Sequence, residues 1–237
     1  MYEIIKIALD VSDKTSGVYD ITVGSVVNNL GFGPNLFLDK QYVFESYFLK
    51  FSIDDKNKSI SKHKDVVFDL SSVAKGYAVD AISDYLLANN FNNYLIDIGG
   101  EIAANGTSKN GFWTIGIQNP QSLQQNISFT VPNSDKFIGV ATSGDYLNFK
   151  YIDDELVSHS VDPRIIKSKD NNVLSVTVLD ESSVSRADAF ATAFNVLSLD
   201  ESIELSESLG IKIKIIYLSD GLINYFESKS WQNMNNG

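Results

Sequence analysis

The sequence predicts an α+β fold with mostly antiparallel sheets, a long central helix and a C-terminal helical pair. Two observations indicate this class. Apolar residues recur at helical spacing in two internal regions, and most of the remaining chain consists of short apolar stretches at hairpin spacing. A third observation concerns organisation: no internal repeat and no low-complexity linker divides the 237 residues. We therefore expect one domain over residues 1–237.

The N-terminal part begins with a predicted short amphipathic helix over residues 3–12, where apolar residues are interleaved with charged ones. A second helix is expected after Thr22, whose hydroxyl suits an N-cap, and its end is predicted at Gly31–Pro34. Residues 47–70 then predict two or three strands around a polar turn at Asp54–Lys58.

The clearest helical pattern runs from Ser72 to Asn90, with Ser71 or Ser72 as the expected N-cap. Closely spaced strands follow, from "YLIDI" to "VLSVTVL". A second helical region is predicted over Arg186–Leu209, with a break near Asp200. Two strands around the turn at residues 219–221 then complete the sheet, and we expect the polar tail "KSWQNMNNG" to be frayed.

Composition excludes several classes of function. The net charge of −11 disfavours nucleic acid and anionic membrane surfaces, because an acidic surface repels phosphate groups. The chain has no cysteine and only two histidines, so a bound metal is expected to have oxygen ligands, as Mg²⁺ or Ca²⁺ does. No apolar stretch is long enough to span a bilayer, and the N-terminus has no signal-peptide pattern. We expect a cytoplasmic protein, or a membrane-anchored extracytoplasmic lipoprotein if a leader is missing.

Two glycine-containing motifs are candidate ligand sites. In "DLSSVAKGYAVD", Lys75-Gly76 stands near a predicted helix N-terminus, which suits an anion such as phosphate. Taken alone, the run is better explained by a capped helix with one exposed lysine. In "DIGGEI", the pair Gly99-Gly100 permits close backbone approach between Asp97 and Glu101, and a tight strand connection is the competing interpretation.

Two further motifs follow predicted strands. "ATSGDY" offers the hydroxyls of Thr142 and Ser143 and a flexible backbone, although such residues are also ordinary loop material. "SHSVDPR" contains His159 on one face of a strand, followed by a turn at Asp162-Pro163. A lone histidine is more often structural than catalytic, so this motif alone decides nothing.

The motif "SRADAFATAF" places Asp188 and Thr192 four residues apart, so both side chains lie on one face of the predicted helix. Aspartate and threonine are poor mid-helix residues, and two oxygen ligands at this spacing suit Mg²⁺ or Ca²⁺. The alternative is an aspartate near a helix N-terminus with a threonine packed inside.

In their order and spacing, "SGVYDITVGSVVNNLGFG", "DLSSVAKGYAVD", "YLIDIGGEIAANG", "ATSGDY", "HSVDPR", "SVTV" and "ADAFATAF" resemble the flavin transferases of the ApbE family, from about Ser16 to Leu218. The resemblance implies an ApbE-like fold. It also implies Mg²⁺-dependent transfer of FMN from FAD to a Thr or Ser hydroxyl of a target flavoprotein, with release of AMP. FAD would be the substrate, and the acceptor flavoprotein the partner.

The resemblance also implies residue roles. By position, the metal ligands would be the Ala74 carbonyl, Asp188 and Thr192, and His159 and Asp162 are the candidate catalytic residues. The flavin and diphosphate site would include nine residues: Lys75, Asp80, Gly99, Gly100, Glu101, Thr142, Ser143, Gly144 and Asp145.

The chain departs from the family pattern in three places. The family usually has a longer N-terminal part that helps to bind FAD. We therefore expect that this chain is trimmed or lacks that part of the FAD site. Ile165-Ile166 replaces the family's Thr-Gly after Asp-Pro-Arg, and Ser71-Ser72 stands where glycine is often found. Two alternatives to the transferase therefore remain open: an FAD diphosphatase that yields FMN and AMP, and a flavin-binding relative without transfer activity.

Overall fold

The computed structural model describes residues 1–33, 51–62, 66–117, 127–130, 136–144, 149–152, 155–158, 160–169 and 171–235. Within these ranges the helices are α1 Tyr2–Lys14, α2 Gly24–Asn29, α3 Ser71–Ala88, α4 Val184–Val196, α5 Leu199–Leu209 and α6 Lys229–Asn235. The strands are β1 Phe51–Asp54, β2 Ser59–Lys62, β3 Tyr94–Ile98, β4 Glu101–Asn105, β5 Thr114–Ile117, β6 Ile127–Thr130, β7 Ile138–Gly144, β8 Phe149–Ile152, β9 Glu155–Ser158, β10 Val161–Asp162, β11 Lys167–Ser168, β12 Val173–Asp180, β13 Lys212–Ser219 and β14 Leu222–Glu227.

A six-stranded sheet organises these elements, with strand order β14-β13-β12-β7-β4-β3. Every neighbouring pair in it is antiparallel, which confirms the predicted α+β class. Four two-stranded hairpins accompany the sheet: β1-β2, β5-β6, β8-β9 and β10-β11. Among the described helices, none is both long and apolar enough to cross a bilayer.

The two faces of the sheet bury different clusters because side chains alternate along each strand. On one face, Val176 and Ile213 pack with α1 and with Phe190 of α4. On the other face, Leu179 and Ile216 pack with β5 and α6. The sheet is therefore covered on both sides, and α4 lies in the interior of the molecule.

The buried position of α4 explains its composition. Nearly every residue from Val184 to Val196 is buried, so the helix is apolar on all sides rather than amphipathic. A polar side chain on such a helix is desolvated unless it faces a cleft or a polar partner. Asp188 and Thr192 are therefore placed in an unusual environment for their residue types.

The structure corrects the predicted N-caps of two helices, α3 and α2. Neither Ser71 nor Ser72 is the N-cap of α3; Leu70 is, and the Asp69 carboxylate accepts the Ser71 N–H at 2.9 Å instead. Thr22 does not cap α2 but donates its hydroxyl to the buried Asp20 at 2.7 Å.

The predicted break between the C-terminal helices falls at Leu197–Ser198, slightly before Asp200. Ser198 is the N-cap of α5 and forms a reciprocal capping box with Glu201.

The prediction of a frayed tail is wrong for the residues that are described. Residues 229–235 form α6, and Trp231 is only 1% exposed because it packs against the second face of the sheet. The segment "KSWQNMNNG" is polar on average, but its Trp231 side chain is large and apolar and is buried against the sheet. A count of polar residues does not predict this contact.

Candidate functional site

The site begins where α3 crosses α4 at Gly76. A Cβ atom at Gly76 would lie 2.6 Å from Ser185 Cα, so only glycine permits this approach of the two helices. The Gly76 N–H donates to Asp188 Oδ2 at 3.2 Å. The Lys75-Gly76 motif is therefore the contact between the two helices that carry the predicted metal ligands.

Asp80 strengthens the same contact one turn further along α3. Its Oδ1 accepts the Val184 N–H at 2.7 Å, and its Oδ2 accepts the N–H and hydroxyl of Ser185 at 3.0 and 2.5 Å. The Ser183 hydroxyl also donates to Oδ2, at 2.9 Å. These donors all belong to the N-terminus of α4. Asp80 therefore fixes the start of that helix and does not line the cleft of the site.

Asp188 is buried, with 6% of its surface exposed. Burial raises the pKa of its carboxyl to about 7, the nearby Glu101 carboxylate adds to the rise, and Lys75 opposes it. Thr192 follows one turn later and faces the same cleft. A divalent cation at this point would stabilise the ionised form that the protein alone disfavours.

Lys75 and Glu101 form an ion pair at the edge of the cleft, with Lys75 Nζ 2.5 Å from Glu101 Oε1. Glu101 is almost completely buried, and its Oε2 has no hydrogen-bond partner among the described atoms. Burial raises the pKa of the Glu101 carboxyl, and the Lys75 ammonium counteracts this effect. The lysine head is 46% exposed, so it remains accessible to an anionic ligand.

Gly99 and Gly100 form the tight turn between β3 and β4. Both have positive φ, +64° and +99°, and the Gly100 N–H donates to Asp97 at 2.9 Å. Only glycine adopts such angles without strain, which explains the pair. The turn brings Glu101 beside Lys75, as the ion pair requires.

These residues meet in a cleft of about 920 Å³ that lies along α3, α4 and the ends of β4 and β7. Of the predicted site residues, nine line it: Lys75, Gly99, Gly100, Glu101, Thr142, Ser143, Gly144, Asp188 and Thr192. Ala74 directly precedes Lys75 on α3, although it is not itself part of the lining. The cleft also has apolar walls, from Val18, Val23, Ile115 and Ile117 among others.

Asp162 lies outside this lining and is occupied elsewhere. It is buried and binds the Arg164 guanidinium, with its Oδ2 2.8 Å from Nη2. Arg164 also reaches Glu201 at 2.7 Å, and these two carboxylates raise the arginine pKa. The predicted catalytic residue His159 falls outside the described residues, and so does Asp145, which was predicted for the flavin site. Ser160 and Val161, which follow His159 in sequence, line the cleft.

The donor set at Asp188 fits a hard cation such as Mg²⁺. Asp188 and Thr192 present a carboxylate and a hydroxyl to the same cleft, and both are oxygen ligands of the required kind. Among the described residues there is no group of three or more His, Cys, Asp or Glu side chains that could hold a metal.

Several structural residues of the site were not anticipated from the sequence. Ser183 and Ser185 bind Asp80, Asp20 lines the cleft, and Tyr19 donates or accepts a hydrogen bond with Ser72 at 2.9 Å. For Ser183 and Ser185, the sequence signal was the cluster of small polar residues before "ADAFATAF", which resembles an ordinary helix cap. Tyr19 and Asp20 lie in the motif "SGVYDITVGSVVNNLGFG", to which no residue role was assigned.

Comparison with known proteins identifies the family. The model of the ApbE family matches residues 1–216, so the chain belongs to the ApbE family. It is 32% identical over 237 residues to the FAD:protein FMN transferase of Vibrio cholerae serotype O1, covering 97% of this chain and 70% of that protein. It is also 32% identical over 235 residues to the Haemophilus influenzae FAD:protein FMN transferase, covering 94% of this chain and 66% of that protein.

A solved structure shares the fold. The flavin transferase ApbE from Vibrio cholerae superposes with a TM-score of 0.79 at 31% identity, covering 98% of this chain and 75% of that one. This likeness confirms the ApbE-like architecture expected from the sequence motifs.

Proposed function

We propose that this protein is an FAD:protein FMN transferase. In the proposed reaction, a Thr or Ser Oγ of a target flavoprotein attacks the FMN-side phosphorus of FAD. A new O–P bond forms, the bond from that phosphorus to the bridging oxygen breaks, and AMP leaves while the hydroxyl proton passes to a base. The observation that carries the proposal is the buried carboxylate of Asp188, placed with Thr192 at a cleft large enough for a dinucleotide.

Asp188, Thr192 and the Ala74 carbonyl are the proposed Mg²⁺ ligands. Mg²⁺ bound there would supply the positive charge that a diphosphate needs and that a chain of net charge −11 lacks. The Gly76 N–H holds one oxygen of Asp188, which orients the carboxylate toward the cleft. Asp80 is proposed to act indirectly, because it fixes the start of α4 and hence the position of Asp188.

Lys75 is proposed to contact the diphosphate. Its ammonium is paired with Glu101 yet remains partly exposed, so it can donate to a phosphate oxygen without leaving Glu101. The Gly99-Gly100 turn and residues 142–144 line the cleft with main chain and hydroxyl groups that suit the same ligand. These contacts would orient FAD, which is a large part of catalysis in phosphoryl transfer.

His159 is the proposed base for the acceptor hydroxyl. Asp162 is the weaker candidate, because its carboxylate already binds Arg164 and a paired carboxylate is a poor proton acceptor. We expect His159→Ala to slow transfer more than it weakens FAD binding. Equal loss of both would make His159 a binding residue instead.

To test this, the protein is incubated with FAD, Mg²⁺ and an acceptor flavoprotein, and the mass of the acceptor is measured by intact-protein mass spectrometry. We expect a gain of one FMN residue on the acceptor, none when its target Thr is replaced by Val, and none with Asp188→Ala. No adduct under conditions where a relative succeeds would refute the proposal. AMP release at the same rate without any acceptor would identify an FAD diphosphatase, and FAD binding without either product would identify a flavin-binding relative.

A further inference from the structure

Asn195 is a fully buried amide on α4, one turn beyond Thr192. It is surrounded in sequence by apolar residues, Phe194 and Val196, and it is not part of the cleft lining. A buried amide is costly unless its groups are hydrogen-bonded, so its partners indicate why the helix contains it.

The orientation of this amide is fixed by the chemistry of its partner. Lys169 Nζ lies 2.7 Å from Asn195 Oδ1 and 2.8 Å from the Val173 carbonyl. A lysine ammonium can only donate, so the amide oxygen must face it. The Asn195 NH₂ group is then directed to Ser160, and it donates to Ser160 Oγ at 3.2 Å.

Ser160 connects this amide to the segment that contains His159. Ser160 is buried and lines the cleft. Its carbonyl accepts the Lys169 N–H at 3.0 Å, and its own N–H donates to Ser158 Oγ at 3.0 Å. The Ser158 N–H in turn donates to Ser168 Oγ at 2.7 Å. The residues on both sides of His159 are thus tied into one hydrogen-bonded network.

We propose that Asn195, held by Lys169, is a positioning residue that ties the helix carrying Asp188 and Thr192 to the segment carrying His159. The network joins α4, which carries the proposed metal ligands, to Ser160, which lines the cleft and directly follows the proposed base in sequence. The catalytic importance of this connection rests on the proposed function. The hydrogen bonds themselves are independent of it.

The kinetic test compares two variants with a control. Asn195→Leu is similar in size and removes the amide contacts with Lys169 and Ser160, whereas Ser160→Ala removes the hydroxyl that accepts from the amide. We expect each to lower kcat for FMN transfer about tenfold with KM for FAD within about twofold, because misalignment affects the reacting geometry more than ligand binding. The double variant should lose little more than either single variant, since both break one connection.

Asn171→Ala is the control. The Asn171 amide donates to the carbonyls of residues 195, 196 and 197 at distances of 2.9 to 3.2 Å, so it stabilises the same end of α4 without contacting Ser160. We expect this variant to lose stability in urea and to keep its kcat. If kcat falls in Asn171→Ala as in Asn195→Leu at matched loss of stability, the role of Asn195 is only structural and the proposal is wrong.

A second measurement does not depend on transfer. The chain has two histidines, so imidazole NMR signals can be assigned with a His63→Gln variant. We expect the His159 signals of ligand-free protein to shift or broaden in Asn195→Leu and to match the wild type in Asn171→Ala. Unchanged His159 signals in Asn195→Leu would overturn the proposal. If the wild type transfers no FMN, the proposed function fails, yet this comparison still decides whether Asn195 positions the segment.

Discussion

The Gly76 amide on α3 donates a hydrogen bond to the Asp188 carboxylate on α4, with 3.2 Å between nitrogen and oxygen. A backbone donor cannot move away as a side chain can, so the carboxylate is held in one orientation relative to α3. This single contact joins the Lys75-Gly76 motif to the metal-ligand motif, and four expected outcomes test how the site around it works.

The first prediction concerns pH. The pKa of Asp188 rises from 3.8 to about 7 on folding, so the unfolded chain loses this proton first as pH increases. The ionised group therefore destabilises metal-free protein progressively from about pH 4 to about pH 7. Asp188→Asn removes this penalty. We expect it to be more stable than the wild type above pH 7 by up to about 4 kcal/mol, and equal near pH 4.

The measurement is urea denaturation of both proteins in EDTA across this pH range. Adding Mg²⁺ should raise the stability of the wild type and leave Asp188→Asn unchanged, because a ligand stabilises only the state that binds it. Parallel stability curves for the two proteins in EDTA would contradict the assigned pKa.

The second prediction concerns the Lys75–Glu101 pair. Lys75→Met leaves a buried carboxylate without its cation, and we expect a loss of about 2 kcal/mol at pH 8. Removal of the ammonium raises the pKa of Glu101 further, so the loss should shrink as pH falls and the carboxyl becomes protonated. Lys75→Met combined with Glu101→Gln should recover most of the stability, since the buried charge is gone. A loss that the second substitution does not relieve would point to packing rather than charge.

The third prediction concerns the helix crossing. Gly76→Ala would favour an isolated helix by roughly 1 kcal/mol, because alanine has the higher helix propensity. In the protein its Cβ would lie 2.6 Å from Ser185 Cα and 2.7 Å from the Val184 carbonyl oxygen, both backbone atoms. We expect net destabilisation of about 1–3 kcal/mol in thermal denaturation, together with weaker Mg²⁺ binding as α4 is displaced. A stabilised variant would show that the helices separate without cost.

The fourth prediction concerns Ile166, at a position where the family resemblance implies glycine. Its φ is +58°, a left-handed conformation that is unfavourable for a β-branched residue, and its side chain is 40% exposed. We expect Ile166→Gly to stabilise the protein by about 1 kcal/mol, with the relief of strain exceeding the entropy that glycine adds to the unfolded chain. The matched control is Ile165→Gly, at an exposed neighbour that does not have positive φ, which should lose stability. Similar changes in both variants would exclude backbone strain as the cause.

The sequence predicted those parts of the fold and site that depend on local spacing. Periodicity located α3 to within two residues, and the four-residue spacing of Asp188 and Thr192 placed both at the cleft. The tight turn at Gly99-Gly100 could also be predicted, because two adjacent glycines indicate backbone positions with positive φ.

Contacts between residues that are distant in sequence could not be predicted from local spacing. Asp80 contacts the start of α4 more than 100 residues later, and that pairing exists only once the two helices pack. Asp162 was a plausible base, but Arg164 binds it and is itself held by Glu201, which lies 37 residues later in the chain. Trp231 shows the same limit, since a single apolar residue in a polar tail has no periodic pattern from which its burial could be inferred.

The crossing of α3 and α4 also determines when the site can exist during synthesis. Residues 76 and 188 are separated by 112 positions in the chain. At a translation rate of roughly 5–20 residues per second, the α3 half of the site leaves the ribosome about 6–22 s before its counterpart. For most of that interval Lys75 and Glu101 have both been made, but no α4 covers α3. A nascent chain therefore cannot acquire the proposed metal until Asp188 and Thr192 have been made, and loading must follow the folding of the part that contains α4.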